Sequence, residues 1–256
     1  MTMDGLRNEI LATTTRVGDN LRALPSGDLR LSRVNWTAAE VGAHLVSLPG
    51  RYRGMLAAPG PVPESLSAEN ERALTEITER DPATLADRLT VEVAALLDAL
   101  SDDAGRRVWY FAVEHTAAGL GGIMLTELLM HGWDLADALR RPWPVTRPQA
   151  VACLRGILPA IVVAVDPAVA VSAEGTYHVH VRGSDDWTYR VQGGTVSVEA
   201  GRPDRADLHL SVDPVTFLRS AYGLISNARA GLSGGIVAWG RRPWLATRFA
   251  RLFVET

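Results

Sequence analysis

Leu6, Ile10, Val17 and Leu21 recur at helical spacing and lay one apolar stripe along a first helix, which the Pro25-Ser26-Gly27 turn ends. Thr37 followed three residues later by Glu40 is a capping-box signature ahead of Val41, Leu45 and Leu48. A second helix is therefore predicted from near Trp36, with Pro49 and the run Pro59-Gly60-Pro61-Val62-Pro63 returning the chain to loop. Asp81-Pro82 supplies an N-cap and a first-turn proline to a helix whose face is Leu85, Leu89, Val93, Leu96, Leu97 and Leu100. After a loop over 101–107, a further helix is predicted from near Gly122 to Leu139, closed by Pro142 and Pro144. Up to about residue 165 no period-2 stretch stands out, and helices joined by short connections predict a bundle.

From Thr176 the period changes to two. Tyr177, Val179 and Val181 alternate with His178, His180 and Arg182, and further strands are predicted over Trp187 to Val191, Thr195 to Val198 and Ala206 to Val212. Asp213-Pro214 opens a helix through Tyr222, a short strand covers Ile236 to Trp239, and a last helix runs from Pro243 to Phe253. The fold class is thus α+β, a helical bundle followed by a small α+β unit. The boundary falls between Arg141 and Asp166, and the division is placed at 1–145 and 146–256.

Composition changes this picture by exclusion. All 26 basic residues are arginine, so no mechanism resting on a lysine amine, whether Schiff base or Walker A, is open to the chain. A net charge of -3 with 21% charged residues gives no prior for nucleic acid. The first eleven residues carry Asp4 and Glu9 and lack an apolar export segment. The longest apolar run, Ile157 to Val165, is interrupted by Pro159 and too short to span a membrane. One cysteine, Cys153, forbids an internal disulfide, predicts a buried inert thiol and fits a reducing cytoplasm.

The chemistry concentrates in the helix after Gly122. Glu127 and His131, four apart, share a stripe with Leu120, Ile123, Met124, Asp134, Leu135 and Ala138, which should face the core. On the second helix His44 shares the inward face with Val41 and Leu48. Two imidazoles and a carboxylate turned inward suit a divalent metal site; a plain Glu–His pair and a satisfied core histidine are the alternatives. Asp134 is expected to accept a hydrogen bond behind this set. His178 and His180 share a strand face and could chelate, but they and His209 are read as a solvated face; His115 is read as a base or a loop residue, and Gly119 to Gly122 as a flexible joint.

The segments Trp36-Thr37-Ala38-Ala39-Glu40-Val41-Gly42-Ala43-His44-Leu45 and Glu127-Leu128-Leu129-Met130-His131-Gly132-Trp133-Asp134-Leu135 together resemble the mycothiol-dependent maleylpyruvate isomerase family, a branch of the DinB-like metal-binding four-helix bundles. Ala206 to Pro214 and Gly234 to Arg242 resemble the reduced sterol-carrier-like domain that follows the bundle there. The resemblance implies a zinc-type ion, Zn2+ or another divalent metal, held by His44, Glu127 and His131. It also implies a low-molecular-weight thiol, mycothiol, as co-substrate and a small electrophile as substrate. Transferase and isomerase chemistry both fit. A metal-water hydrolase or cyclase of secondary metabolism, or a non-catalytic protein binding an apolar molecule, are the alternatives. An arginine of the second domain is implied in ligand binding, with Arg241, Arg242 and Arg248 as candidates.

Overall fold

The computed structural model describes residues 1–63, 65–100 and 102–253; Ser101, the first residue of the predicted 101–107 loop, lies outside them. The chain divides into two compact units, Met1–Val145 and Thr146–Thr256. The fold is α+β, helical in the first unit and built on a sheet in the second.

The first unit contains α1 (Met3–Ala23), α2 (Ala38–Gly54), α3 (Leu66–Glu76), α4 (Pro82–Ala99) and α5 (Ala117–Ala138). α1 and α2 each pack against both α4 and α5, which makes a four-helix bundle, and α3 lies along α2. The stripes read from sequence are the core: Ile10, Val17, Leu21, Leu85, Leu89 and Val93 are fully buried, each contributing about 1.5–3 kcal/mol of apolar burial. The predicted caps are present. The Glu40 amide donates to Thr37 Oγ1 at 3.2 Å while the Thr37 amide donates to Glu40 Oε2 at 2.7 Å, and Asp81 Oδ2 accepts from the Thr84 amide at 2.8 Å.

Four expectations need correction here. α2 continues through Pro49 to Gly54, because the turn beyond the proline carries Tyr52 into the core, where it is 1% exposed. α3, of which Ala73 is the buried position, has too narrow an apolar face for the sequence to announce it. Gly119 to Gly122 is helix rather than joint: a Cβ at Gly121 would stand 2.9 Å from Leu6 Cδ2, and one at Gly119 would overlap the His115 ring, so these glycines admit close packing. Finally, β1 (Arg107–Tyr110) and β2 (Val113–Thr116) form an antiparallel hairpin where none is predicted. Its two-residue turn is Phe111-Ala112, with Phe111 at φ 53°. A bulky residue in the left-handed region costs about 1–2 kcal/mol, offset by burial of the Phe111 ring, 4.9 Å from that of Tyr110.

The second unit contains α6 (Arg147–Ala160), a 3-10 turn (Ile161–Ala164) and α7 (Pro167–Ser172), followed by β3 (Gly175–Val181), β4 (Asp186–Gln192), β5 (Thr195–Ala200) and β6 (Leu208–Val212). α8 (Pro214–Ala221), α9 (Asn227–Leu232), β7 (Ile236–Trp239) and α10 (Leu245–Phe249) complete it. The strand order is β5-β4-β3-β6-β7, with β3 and β6 parallel and the other pairs antiparallel. Tyr177, Val179, Tyr189, Leu208 and Leu210 form the buried face; Tyr189 donates to the Leu158 carbonyl of α6 at 2.7 Å, and Phe249 of α10 packs on Tyr177 and Tyr189. Arg147–Ala164 is apolar enough by composition to match a membrane span; its α6 portion buries Ala150, Cys153, Leu154 and Leu158 within the structure. The last helix is shorter than predicted, since the chain beyond it turns so that Leu252 is buried and Phe253 bridges to Val165.

Trp143, just after α5, lies over Gly132. Its Nε1–H donates to the Leu129 carbonyl at 2.9 Å, and the Arg16 guanidinium sits 3.9 Å from its ring. A Cβ at Gly132 would overlap the indole. Gly132→Ala gains about 1 kcal/mol of helix propensity, whereas overpacking costs about 1–3 kcal/mol and the strained hydrogen bond about 1 kcal/mol more. The expected outcome is a lower urea midpoint; an unchanged or higher one would show that the indole relocates at no cost.

Candidate metal centre

Local capping and packing aim the site. The capping box starts α2 so that His44, two turns in, points between α2 and α5 and is 1% exposed. On α5, Glu127 and His131 occupy successive turns of the same stripe. His44 Nε2 lies 3.4 Å from Glu127 Oε2, and His131 Nε2 lies 3.5 Å from the same oxygen. One donor atom from each residue falls within 4.8 Å of the others. The two imidazole rings meet edge to face with centroids 4.9 Å apart, and the Trp36 ring stands 4.9 Å from His44 and 6.0 Å from His131.

These separations can be set against those of a hydrogen-bonded cluster and of a ligand set. Direct N–H···O bonds fall at about 2.7–3.2 Å. Ligands bound tetrahedrally at about 2.0–2.1 Å stand roughly 3.3 Å apart. The observed 3.4 and 3.5 Å are long for the first and close to the second, and the two imidazole donors stand within 4.8 Å of each other. Donor chemistry agrees, since two neutral imidazoles and one carboxylate are a borderline-soft set that leaves further coordination positions for water or substrate.

Behind the cluster, His131 Nδ1 lies 3.3 Å from Asp134 Oδ2, and Arg33 Nε lies 3.3 Å from Asp134 Oδ1. Asp134, 7% exposed, therefore takes the outer ring nitrogen of His131, turns Nε2 toward Glu127, and is itself held by Arg33. His44 Nδ1 is buried with no hydrogen-bond partner among the described residues. Tyr110 reaches the neighbourhood from the unpredicted hairpin, its ring 6.1 Å from Tyr52.

The charges sort accordingly. Burial alone would lower the His131 imidazole, but its contacts with Asp134 and Glu127 and their negative charges lift it to about 9. Burial pushes Glu127 up, yet the two histidines more than reverse this and hold the carboxyl well below its ordinary range. His44 is pushed down by burial against the pull of Glu127. Burial and the Glu127 charge raise Tyr110, with Arg51 opposing, so its phenol keeps its proton. Without metal the set is one imidazolium, one carboxylate and one neutral imidazole.

The other sequence candidates lie elsewhere. Arg241, Arg242 and Arg248 belong to the second unit; Arg241 is exposed, Arg242 donates to the Glu174 carbonyl at 2.9 Å and Arg248 donates to the Ser172 carbonyl, the latter two tying α10 and its approach to the chain before β3. His115 is buried, accepts from the Thr116 amide at 2.8 Å through Nδ1 and packs on Gly119. Cys153 is fully buried and in no disulfide. Arg33 and Tyr110 were not anticipated: Arg33 sits in an irregular segment without periodicity, and Tyr110 depends on the hairpin.

Residues 12–136 match the sequence profile of the mycothiol maleylpyruvate isomerase N-terminal domain. The match lies wholly within the first unit, and that unit is a domain of this kind. No curated protein matches the chain by sequence. The crystal structure of the mycothiol-dependent maleylpyruvate isomerase aligns over 93% of this chain and 93% of its own, with a TM-score of 0.51 at 15% identity, which places the two in one fold. Sterol carrier protein 2 like 2 from Aedes Aegypti aligns with 41% of this chain and 98% of its own at 20% identity and a TM-score of 0.35.

The His131 shift sets a pH dependence. A group at about 9 folded and about 6.5 unfolded contributes stability that is fully present below pH 6.5 and lost as pH rises through 9. In chelator-treated protein the unfolding free energy should fall by on the order of 3 kcal/mol across that window. His131→Gln should flatten the fall; equal slopes in urea titrations of the two proteins would refute the assignment.

Proposed function

We propose that His44, Glu127 and His131 hold a divalent ion of the zinc type in a DinB-like domain spanning 1–145. The second domain, 146–256, is of the sterol-carrier-like kind, and the protein is a thiol-dependent isomerase or S-transferase acting on a small electrophile in the cytoplasm. The observation that carries the reading is the convergence of the three donors at metal-ligand separations inside a domain of this family. Mycothiol, the thiol named for that family, is the co-substrate. When bound, the ion supplies positive charge that favours the thiolate of an incoming thiol and polarises an acceptor oxygen.

The chain's own residues then have distinct tasks. Glu127 contributes the single negative charge, leaving the loaded centre near +1 and attractive to a thiolate. Asp134 and Arg33 keep His131 Nε2 turned inward. Trp36 walls the two imidazoles and thins the water around them. The Tyr110 phenol, kept protonated, is a hydrogen-bond donor beside a developing negative charge. In the isomerase version, the thiolate sulfur adds to one carbon of a conjugated double bond, the remaining single bond rotates, and elimination restores the alkene and the thiol. In the transferase version the adduct is released. Arg241 and Arg242 are assigned to the anionic end of the substrate. The lack of lysine and the buried Cys153 agree with a nucleophile brought from outside.

Purified protein should carry about one divalent ion per chain and form adducts between a low-molecular-weight thiol and maleylpyruvate or a related electrophile. His44→Ala should lose the ion and at least about 100-fold in rate; full thiol-transfer activity in the metal-free variant would overturn the proposal. Asp134→Asn should keep the site and weaken metal affinity about 10–100-fold. Because His131 is protonated in the empty protein, metal uptake near pH 7.5 should release about one proton, measured by calorimetry in buffers of different ionisation enthalpy.

A further inference from the structure

The face of the second unit's sheet opposite Tyr177 and Val179 is not the solvated surface that its alternation suggests. His178 is 3% exposed. The parallel register of β3 and β6 sets it directly beside His209, with the two Nδ1 atoms 2.9 Å apart and the rings nearly perpendicular at 85°. The outer nitrogen of His178, Nε2, lies 2.7 Å from Asp186 Oδ1 on β4, and His180 Nδ1 lies 3.0 Å from the same oxygen. The indole of Trp239 on β7 stacks on His209 with 12° between the planes. Five residues from four adjacent strands thus form one network.

Proton accounting gives the network a direction. Burial raises the Asp186 carboxyl, but its contacts with His178 and His180 reverse this and hold it below the ordinary range, so it is ionised and only accepts. The Nε2–H of His178 points to that carboxylate at 2.7 Å, which leaves Nδ1 as the ring nitrogen facing His209. The neutral imidazole of His209 carries its one proton on either ring nitrogen. In one tautomer His209 donates its Nδ1 proton to His178. In the other, two imidazole lone pairs point into the same space, one of them backed by a carboxylate, which is the arrangement found behind metal-binding histidines.

The separation indicates which ions fit. Neighbouring ligands at about 2.0–2.1 Å are roughly 2.9 Å apart when they subtend 90° and roughly 3.3 Å apart in a tetrahedron. The observed 2.9 Å is a hydrogen-bond separation in the metal-free protein and equals the right-angle ligand spacing, so an ion can take the place of the shared proton without moving either ring; Trp239 locks the plane of one ring while Asp186 locks the other.

We propose that His178 and His209 are a second cation site, binding a first-row divalent ion that prefers square-planar or tetragonal nitrogen coordination, nickel or copper in class, through their Nδ1 atoms. Asp186 is the anion that orients His178, and His180 adds a second imidazole to that carboxylate. Solvent or a small ligand completes the coordination. The site is independent of His44, Glu127 and His131.

The test uses the full chain carrying His44→Ala, so that the centre in the bundle does not contribute, titrated with nickel or copper. One ion should bind with a d–d absorption typical of nitrogen-ligated tetragonal metal. His209→Asn in this background should weaken binding at least about tenfold and Asp186→Asn about 10–100-fold, with thermal melts of the metal-free variants checking folding. A second readout needs no variant at this site: substoichiometric copper should broaden the ring resonances of His178 and His209 first among the histidines. Equal affinity with and without His209, or broadening that spares this pair, would overturn the proposal and leave a hydrogen-bonded couple.

Discussion

An ionised carboxylate placed inside a helical bundle must find compensation from more than one helix, and Glu127 is where this molecule meets that requirement. Its side chain is about three-quarters buried, with 24% of its surface exposed, and its partners are His131 one turn along α5 and His44 from α2. A buried charge left alone costs several kcal/mol. The α2–α5 interface is therefore pinned at one height by electrostatics while the leucines of α1 and α4 supply bulk burial around it. The same compensation gathers two imidazoles, one from each helix, around a single carboxylate oxygen.

Outward from that oxygen the order is hierarchical. Asp134 fixes His131, Arg33 fixes Asp134, and Trp36 covers the rings. Each layer comes from a different type of local structure: a helical stripe, an irregular segment, and the residue just before a capped helix. The sheet of the second unit repeats the logic with strands, where Asp186 orients His178 and a tryptophan fixes the ring of His209.

How much of this was visible in the chain followed the range of the interactions involved. Thr37 with Glu40 and Asp81 with Pro82 are local signals that decide helix starts, and both hold. The Glu127–His131 spacing is local too, but that His44 joins it is tertiary information, drawn from its inward face and from the family resemblance. Pro49 misled because one lost hydrogen bond is weaker than the burial of Tyr52 one turn later. The hairpin escaped notice because its turn is Phe111-Ala112, without the glycine or asparagine that usually marks positive φ, and Tyr110 was missed with it. His178 looked solvated because alternation tells which side chains share a face and says nothing about whether neighbours on that face bury one another.

Gly132 follows His131 directly, so α5 presents an imidazole and a notch on consecutive positions, about 100° apart around its axis. The indole of Trp143 occupies the notch and is bonded to the Leu129 carbonyl. The helix is consequently keyed in azimuth: it cannot roll to swing Glu127 and His131 out of the interface without first unseating a tryptophan. Glu127 and His131 are thereby held at a fixed azimuth, like the jaw of a vice, against His44.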